Sequence, residues 1–158
     1  MKLALAAALA LSVMPFAFSQ EVVASNFMMI TLAVQDMDKS KDFYTAKLGL
    51  QALQDNRQGA QRWVALAFPG GGASMNLSTV MANGMAATSQ NIKPGAISLY
   101  FATPDIKTAW KALKERGVTP ATEVSTETWP GSPWAAWFTV EDPDKNQILI
   151  VQMKSLNQ

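Results

Sequence analysis

The sequence predicts an α+β fold built from two βαβββ modules. Residues 30–36 alternate apolar and polar side chains and lead into a helical stretch at residues 37–48, which ends at a glycine. The same order recurs about seventy residues later, where residues 97–105 lead into a helical stretch at residues 106–116 that also ends at a glycine. A repeated strand–helix unit is typical of a duplicated fold with a shared cavity.

The first residues have the features of a targeting segment. Lys2 gives a positive start, residues 3–14 form an apolar run, and residues 17–19 (Ala-Phe-Ser) fit a small-x-small cleavage site. A signal peptide over residues 1–19 and a mature chain over residues 20–158 are therefore predicted, with a periplasmic or secreted location. The alternative is an uncleaved anchor helix, but a run of about a dozen residues is short of the roughly 20 that span a bilayer.

Composition excludes several classes of partner. The chain carries a formal net charge of +1 and no cluster of Lys or Arg, so neither nucleic acid nor an anionic membrane is expected as a partner. It contains no Cys, so an exported chain would be stabilised by packing and not by disulfides. The mature chain suits a single domain. Its parts are module one at about residues 27–80, a linker or lid at about 81–94, and module two at about 95–153.

In each module an alternating strand comes first and a helix follows. The apolar residues that should face the helices are Ile30, Leu32, Val34, Ile97, Leu99 and Phe101. Asp36 and Asp105 stand where a side chain accepts hydrogen bonds from the first helical turn. Gly49 and Gly117 stand where a left-handed residue ends a helix.

Three further strands are predicted in each module after its helix. They cover residues 51–54, 61–68 and 74–79 in module one, and residues 122–126, 134–140 and 147–152 in module two. Turns rich in Pro, Gly and Asp separate most of them. The same pattern leaves two other architectures open, which are a ferredoxin-like α+β sandwich and two unrelated small domains.

A set of short motifs recurs in order along both modules. They are Val34, Asp36, Ser40, Phe43, Tyr44 and residues 48–50 in module one, and Asp105, residues 112–118, Asp142, Asp144 and Asn146 in module two. The set resembles the vicinal oxygen chelate superfamily, which includes glyoxalase I, bleomycin resistance proteins, fosfomycin resistance enzymes and extradiol dioxygenases. The resemblance implies a cup-shaped mixed sheet (the glyoxalase/bleomycin resistance/dioxygenase-like fold) that holds a ligand or a divalent metal. It also implies a homodimer.

The positions at which this family usually binds metal do not carry metal-binding side chains here. Matched by position, they fall on Met29, Asn76, Ser98 and Leu149. Sites for zinc, iron, nickel or manganese in such cups use imidazole and carboxylate groups, and the chain has no His at all. We therefore expect no metal, no other cofactor and no catalytic residue of the kind that the family uses.

Strand alternation predicts which side chains line the cup. The predicted cavity residues are Met29, Thr31, Trp63, Asn76, Ser98, Tyr100, Trp137 and Leu149, a set without charge. Such a lining suits a small, largely apolar or aromatic ligand. The alternative is that these side chains simply fill the interior. Trp129 and Trp134 flank a Pro-Gly-Ser-Pro loop and either form a rim or pin that loop.

The sequence pattern predicts mainly structural roles for the charged residues. Glu123 and Glu127 share a strand face and are interpreted as a solvated surface. Asp142 and Asp144 are interpreted as turn formers, and Lys145 would occupy a left-handed position at a cost of roughly 1 kcal/mol. Arg57 and Arg62 lie in or beside a polar stretch, read first as a solvated loop and otherwise as a rim that reaches a ligand carboxylate.

Three functions of different classes follow from this sequence. The first is binding or sequestering of a small, largely apolar or aromatic molecule without metal. The second is a diverged glyoxalase-like lyase or isomerase, for which fold ancestry is the only motive. The third is a non-catalytic interaction protein that uses a sheet edge or its Trp-bearing loops.

Overall fold

The computed structural model describes residues 27–59, 61–79, 95 and 97–155. The predicted signal peptide at residues 1–19 and the predicted linker at residues 81–94 lie outside these ranges. No helix within the described ranges is long and apolar enough to cross a membrane.

Module one forms a four-stranded mixed sheet with a helix on one face. The elements are β1 (Met29–Val34), α1 (Met37–Asp42), a π-helical turn (Phe43–Lys47), β2 (Gln51–Gln58), β3 (Gln61–Ala67) and β4 (Ser74–Thr79). The strand order is β1-β4-β3-β2, in which β1 and β4 are parallel and the other pairs are antiparallel. The first module therefore has the βαβββ order that the repeat predicts.

Module two repeats this plan with one strand fewer. Its elements are β5 (Ser98–Ala102), α2 (Ile106–Glu115), β6 (Trp134–Glu141) and β7 (Gln147–Met153). The strand order is β5-β7-β6, and the parallel pair β5–β7 corresponds to β1–β4 of module one. The α+β class of the fold is thus confirmed, as two open sheets of four and three strands.

The strand predicted at residues 122–126 is wrong. Only Ser125 pairs there, through a single bridge to Trp137. Upstream of that bridge, the hydroxyl of Thr122 accepts from the backbone N–H of Thr139 at 3.0 Å, in place of a backbone carbonyl. Because a threonine hydroxyl competes with the backbone for such donors, the ladder does not extend along this segment.

One apolar core joins the two modules. On the later strands, the apolar residues that alternate with the predicted inner-face positions are fully or almost fully buried, and they are Met75, Leu77, Phe138, Val140, Ile148 and Ile150. Between the modules, the rings of Phe68 and Phe101 meet edge to face with centroids 4.8 Å apart. The predicted phase of these strands is therefore confirmed.

Both helical stretches begin and end near the residues that their sequence signals predict. Asp36 accepts from two backbone N–H groups of the first turn of α1 at 3.1 Å, and Asp105 accepts from that of Thr108 at 2.7 Å. These bonds, foremost the one from the backbone of Lys39, lower the pKa of Asp36 below its usual value. Gly49 and Gly117 follow the helical segments with φ values of 86° and 76°.

The first helical stretch differs from the prediction of one helix to residue 48. It changes after Asp42 to a π-helical turn, in which the N–H of Leu48 donates to the carbonyl of Phe43 at 3.0 Å. Thr45 contributes to the change, because its hydroxyl donates to the carbonyl of Lys41 at 2.8 Å. A π-helical turn changes the direction in which nearby side chains point, compared with a regular helix. Here it includes Tyr44, whose contact with module two is described below.

Strand β2 is longer than predicted and consists entirely of exposed residues. The polar stretch after residue 54, predicted as a loop, instead pairs with β3 through to Gln58. Arg62 of β3 explains this pairing, because its side chain donates to both carboxylate oxygens of Asp55 at 2.7 and 2.8 Å. The same guanidinium donates to Asp38 in α1 at 2.7 Å. Arg62 therefore fastens the β2–β3 hairpin to the helix, and the interpretation of this stretch as a solvated loop is wrong.

Replacing Arg62 with alanine is expected to lower the free energy of unfolding by about 1 to 2 kcal/mol, because one bidentate and one single ion pair are lost together. The Arg62 side chain is only 13% exposed, so solvent screens these pairs less than usual. Urea denaturation of the purified protein measures the loss. Arg57→Ala, on the exposed strand β2, is the matched control and is expected to change stability by about 0.5 kcal/mol or less.

This loss should also depend on pH. Hydrogen bonds from Arg62, then from Lys41, hold the pKa of Asp55 well below its ordinary value of 3.8. A lowered pKa in the folded state means that the stabilisation is fully present above 3.8 and is lost as the pH falls towards the lower value. The difference between wild type and Arg62→Ala should shrink over that range. A difference that is constant from neutral pH to pH about 2 would contradict this assignment.

Candidate functional site

The inner face of each sheet, meaning the face opposite its helix, carries the predicted cavity residues. In the four-stranded sheet, Thr31 of β1 and Ala65 of β3 both pair with Asn76 of β4, so the three side chains share this face. Met29 and Trp63 lie on the same face two residues along their strands, and both are half-buried. The predicted alternation therefore places all four cavity residues of module one on one surface.

The inner face of the three-stranded sheet carries the other four. Tyr100 of β5 and Thr139 of β6 both pair with Leu149 of β7, so they share one face. Ser98 and Trp137 lie on this face as well, two residues from Tyr100 and Thr139. Tyr100 pairs with Leu149 in module two in the same way that Thr31 pairs with Asn76 in module one. The repeat thus extends to the placement of the inner-face residues.

An aromatic surface, defined here as Tyr100, Trp129, Trp134 and Trp137, covers much of module two's inner face. The rings of Tyr100 and Trp134 have centroids 5.9 Å apart, and those of Trp134 and Trp129 lie 5.0 Å apart. Tyr100 is 62% exposed and Trp129 is 54% exposed, which is unusual for such large side chains. The two tryptophans that flank the loop therefore extend the inner face outward.

Hydrogen bonds fix the loop that carries Trp129. The buried Ser132 donates its N–H to the carbonyl of Trp129 at 3.0 Å, and its hydroxyl accepts from the N–H of Trp134 at 3.2 Å. The Lys154 ammonium donates to the carbonyl of Ser132 at 2.8 Å. The indole N–H of Trp137 donates to the carbonyl of Glu127 at 2.9 Å. These bonds hold the loop and the Trp137 ring in place before any ligand arrives, which reduces the entropic cost of binding.

Exposure differs among the predicted cavity residues. Thr31, Ser98 and Tyr100 are exposed, Met29, Trp63, Trp137 and Leu149 are half-buried, and Asn76 alone is buried. The structure brings them together as two sets of four, one on each sheet. The described contacts that join the modules, such as the Phe68–Phe101 pair, involve residues on the helix side of the sheets.

The residues at the family's metal positions do not fit a transition metal. A thioether at Met29, an amide at Asn76, a hydroxyl at Ser98 and an isobutyl group at Leu149 provide no imidazole and no carboxylate. Elsewhere in the described part of the chain, no three His, Cys, Asp or Glu side chains are grouped as metal ligands would be. These side chains therefore do not support metal-dependent chemistry at this surface.

A buried polar contact between the modules was missed from the sequence. The hydroxyl of Tyr44 donates to Asp142 at 2.7 Å, and the hydroxyl of Ser40 donates to Asp144 at 3.1 Å. Burial and the neighbouring Asp142 carboxylate raise the pKa of Tyr44 far above its usual value, so the phenol remains a donor. Asp142 and Asp144 form their turn as predicted, yet they also fasten module two to α1 and the π-helical turn.

Lys145 closes this turn in the predicted left-handed conformation, with φ of 69°. Its ammonium lies 3.0 Å from the carboxylate of Glu141. Both residues border a cleft of about 490 Å³ on the helix side, between the π-helical turn and the β6–β7 turn. The cleft is lined by none of the predicted cavity residues. Glu123 and Glu127 are exposed, in agreement with a solvated surface.

Comparisons with known proteins agree with this architecture. The family model described as the Glyoxalase/Bleomycin resistance protein/Dioxygenase superfamily matches residues 26–150. The uncharacterized protein YurT of Bacillus subtilis (strain 168) is 33% identical over 130 residues, which cover 80% of this chain and 98% of YurT.

Two solved structures are similar over nearly their whole length. TnmS3, an antibiotic binding protein from Streptomyces sp. CB03234, has a TM-score of 0.68 at 26% identity and covers 85% of this chain and 100% of its own. A superfamily member from Sphaerobacter thermophilus DSM 20745 has a TM-score of 0.66 at 28% identity and covers 83% of this chain and 99% of its own. The chain therefore belongs to the glyoxalase/bleomycin resistance protein/dioxygenase superfamily.

Proposed function

We propose that this protein binds and sequesters a small, largely apolar or aromatic molecule, without a metal and without catalysis. The observation that carries the proposal is the aromatic surface of module two, which combines contact between rings with high exposure. Large uncharged rings that remain exposed on a rigid frame favour stacking with a flat ligand. The likeness to TnmS3, an antibiotic binding protein, supports an antibiotic as the class of ligand.

The chemistry of the inner faces supports binding over reaction. Their side chains are apolar, aromatic, hydroxyl or amide groups, and a general base that works near neutral pH is absent from the predicted cavity set. A lyase or isomerase would need such a group or a metal beside its substrate. Neutral donors and acceptors around aromatic rings are instead typical of sites that hold a ligand by shape and a few hydrogen bonds.

Isothermal titration calorimetry with uncharged fused-ring aromatics, including 2-naphthol and 2-methoxynaphthalene, tests this proposal. Wild type should bind at least one of them, and Tyr100→Ala should weaken binding by about tenfold, the loss expected for one exposed aromatic contact. Trp110→Phe, in helix α2, is the matched control and should bind as wild type does. Treatment with EDTA should leave the binding heat unchanged. If none of the probes binds up to its solubility limit, the proposal fails.

Export and self-association belong to the same proposal. A signal peptide at residues 1–19 would deliver the protein to the periplasm or the medium, where a toxic small molecule first meets the cell. Exposure of Tyr100 and Trp129 supports a second copy as the partner that shelters the inner faces. N-terminal sequencing of the chain from its host should begin near Gln20. Elution of the purified chain as a monomer would remove the dimer from the proposal.

A further inference from the structure

Among the described residues on the inner face of module one, one buried side-chain atom lacks a hydrogen-bond partner. Asn76 is only 2% exposed, and its side-chain oxygen Oδ1 accepts no hydrogen bond. Leaving a buried amide oxygen unpaired is costly, and such atoms are rare in folded proteins. Among the described residues, the other atom of this kind belongs to Trp110 in helix α2, away from the inner faces. The unpaired oxygen therefore marks one position on the candidate binding surface.

The side chains around Asn76 are small. Thr31 and Ala65 are its direct neighbours on β1 and β3, and the same face continues with Ala33, Ala67 and Ser78. Asn76, Ala33 and Ala65 are all buried, so water is largely excluded from the centre of this face. A hydrogen bond in such a place is stronger than one in water. The half-buried Trp63 lies on the same face, two residues from Ala65 along β3.

We infer that Asn76 selects ligands that carry a hydrogen-bond donor, such as the O–H of a phenol or the N–H of an aromatic amine. The inference rests on the proposed function and specifies its ligand class. The ligand's ring lies over the small side chains beside Asn76, and its O–H or N–H donates to Asn76 Oδ1. A ligand of the same shape without a donor leaves this oxygen unpaired, so it gains less on binding.

A matched pair of probes tests this inference by calorimetry. 2-Naphthol carries a phenolic O–H, whereas 2-methoxynaphthalene is more apolar and cannot donate, so burial of apolar area alone would favour the methyl ether. Wild type should prefer 2-naphthol by about tenfold or more. In Asn76→Leu, which has similar size and no acceptor, the preference should disappear or reverse. Thr79→Ala, three residues along β4 and on the opposite face of the strand, should retain it.

The outcomes separate this inference from the proposed function. If 2-methoxynaphthalene binds wild type as tightly as 2-naphthol does, aromatic binding stands and selection by Asn76 is overturned. If Asn76→Leu keeps the preference, the donor is recognised elsewhere and the inference is likewise overturned. If no aromatic probe binds wild type, the proposed function itself fails. Because the wild-type comparison requires no variant, equal binding of the two probes overturns the inference even if Asn76→Leu does not fold.

Discussion

Replacing Asp142 with alanine should lower the free energy of unfolding by about 3 to 5 kcal/mol, the largest loss expected for a single side chain here. The carboxylate is 3% exposed and accepts four hydrogen bonds, from the Tyr44 hydroxyl, the Asn146 side chain and the backbone N–H groups of Asp144 and Asn146. Alanine leaves all four donors without their acceptor in a buried place. Urea denaturation followed by tryptophan fluorescence measures the effect.

A neighbouring carboxylate provides the control for this prediction. Glu141 precedes Asp142 in the chain, its side chain is 49% exposed, and it pairs with Lys145 at 3.0 Å. Because an exposed pair contributes little, Glu141→Ala should change stability by about 0.5 kcal/mol or less. Tyr44→Phe removes one donor and should cost about 1 to 2 kcal/mol. Equal effects of Asp142→Ala and Glu141→Ala would mean that the buried hydrogen bonds of Asp142 do not stabilise the fold.

Local signals allowed much of the fold to be predicted from the sequence. Alternation along β1 and β5 depends on a few consecutive residues, and so do the caps at Asp36 and Asp105. A strand's alternation also fixes which face each side chain takes, so the four inner-face positions of each sheet could be assigned before any contact was known. Because module two repeats the order of elements in module one, each weak local signal occurs at two places in the sequence.

The features that were missed depend on residues far apart in the chain. Tyr44 and Asp142 are separated by 98 positions, and nothing in either local sequence shows that one donates to the other. Strand β2 is polar throughout, so its pairing follows from β3 and from Arg62 and not from a hydrophobic pattern. The segment around Thr122 has the composition of a strand, yet a hydroxyl takes the place of a ladder bond.

The candidate site shows the same division between local and distant information. Alternation placed Asn76 on the inner face, but its burial and its unpaired oxygen result from packing that only the structure reveals. Similarly, the sequence left Trp129 and Trp134 with two alternatives. The structure places their rings 5.0 Å apart, with Trp129 largely exposed, while Ser132 pins the loop beneath them. Because Ser132 holds the loop, a rim formed by the two tryptophans stays a prediction.

Among the glycines that the structure describes, Gly95 should be the most sensitive to alanine, with an expected loss of about 3 kcal/mol. Gly95 has φ of 82°, and a Cβ there would lie 2.7 Å from the carbonyl oxygen of Asp144, a backbone atom of the β6–β7 turn. Its N–H also donates to the side chain of Asn146 at 3.0 Å, so the chain entering β5 is held against this turn. Relief of the clash would require the strand entry and the turn to move apart.

Gly117 separates this clash from the cost of conformation alone. It has a similar φ of 76°, but a Cβ at this position meets no atom within 4 Å. Gly117→Ala should therefore cost about 1 to 2 kcal/mol, the penalty of a left-handed alanine. Urea denaturation measures the loss in the free energy of unfolding for both variants. The additional loss in Gly95→Ala gives the contribution of the close contact between Gly95 and the β6–β7 turn. If the two variants lose equal stability, the close approach at Gly95 does not constrain the fold, and only its φ matters.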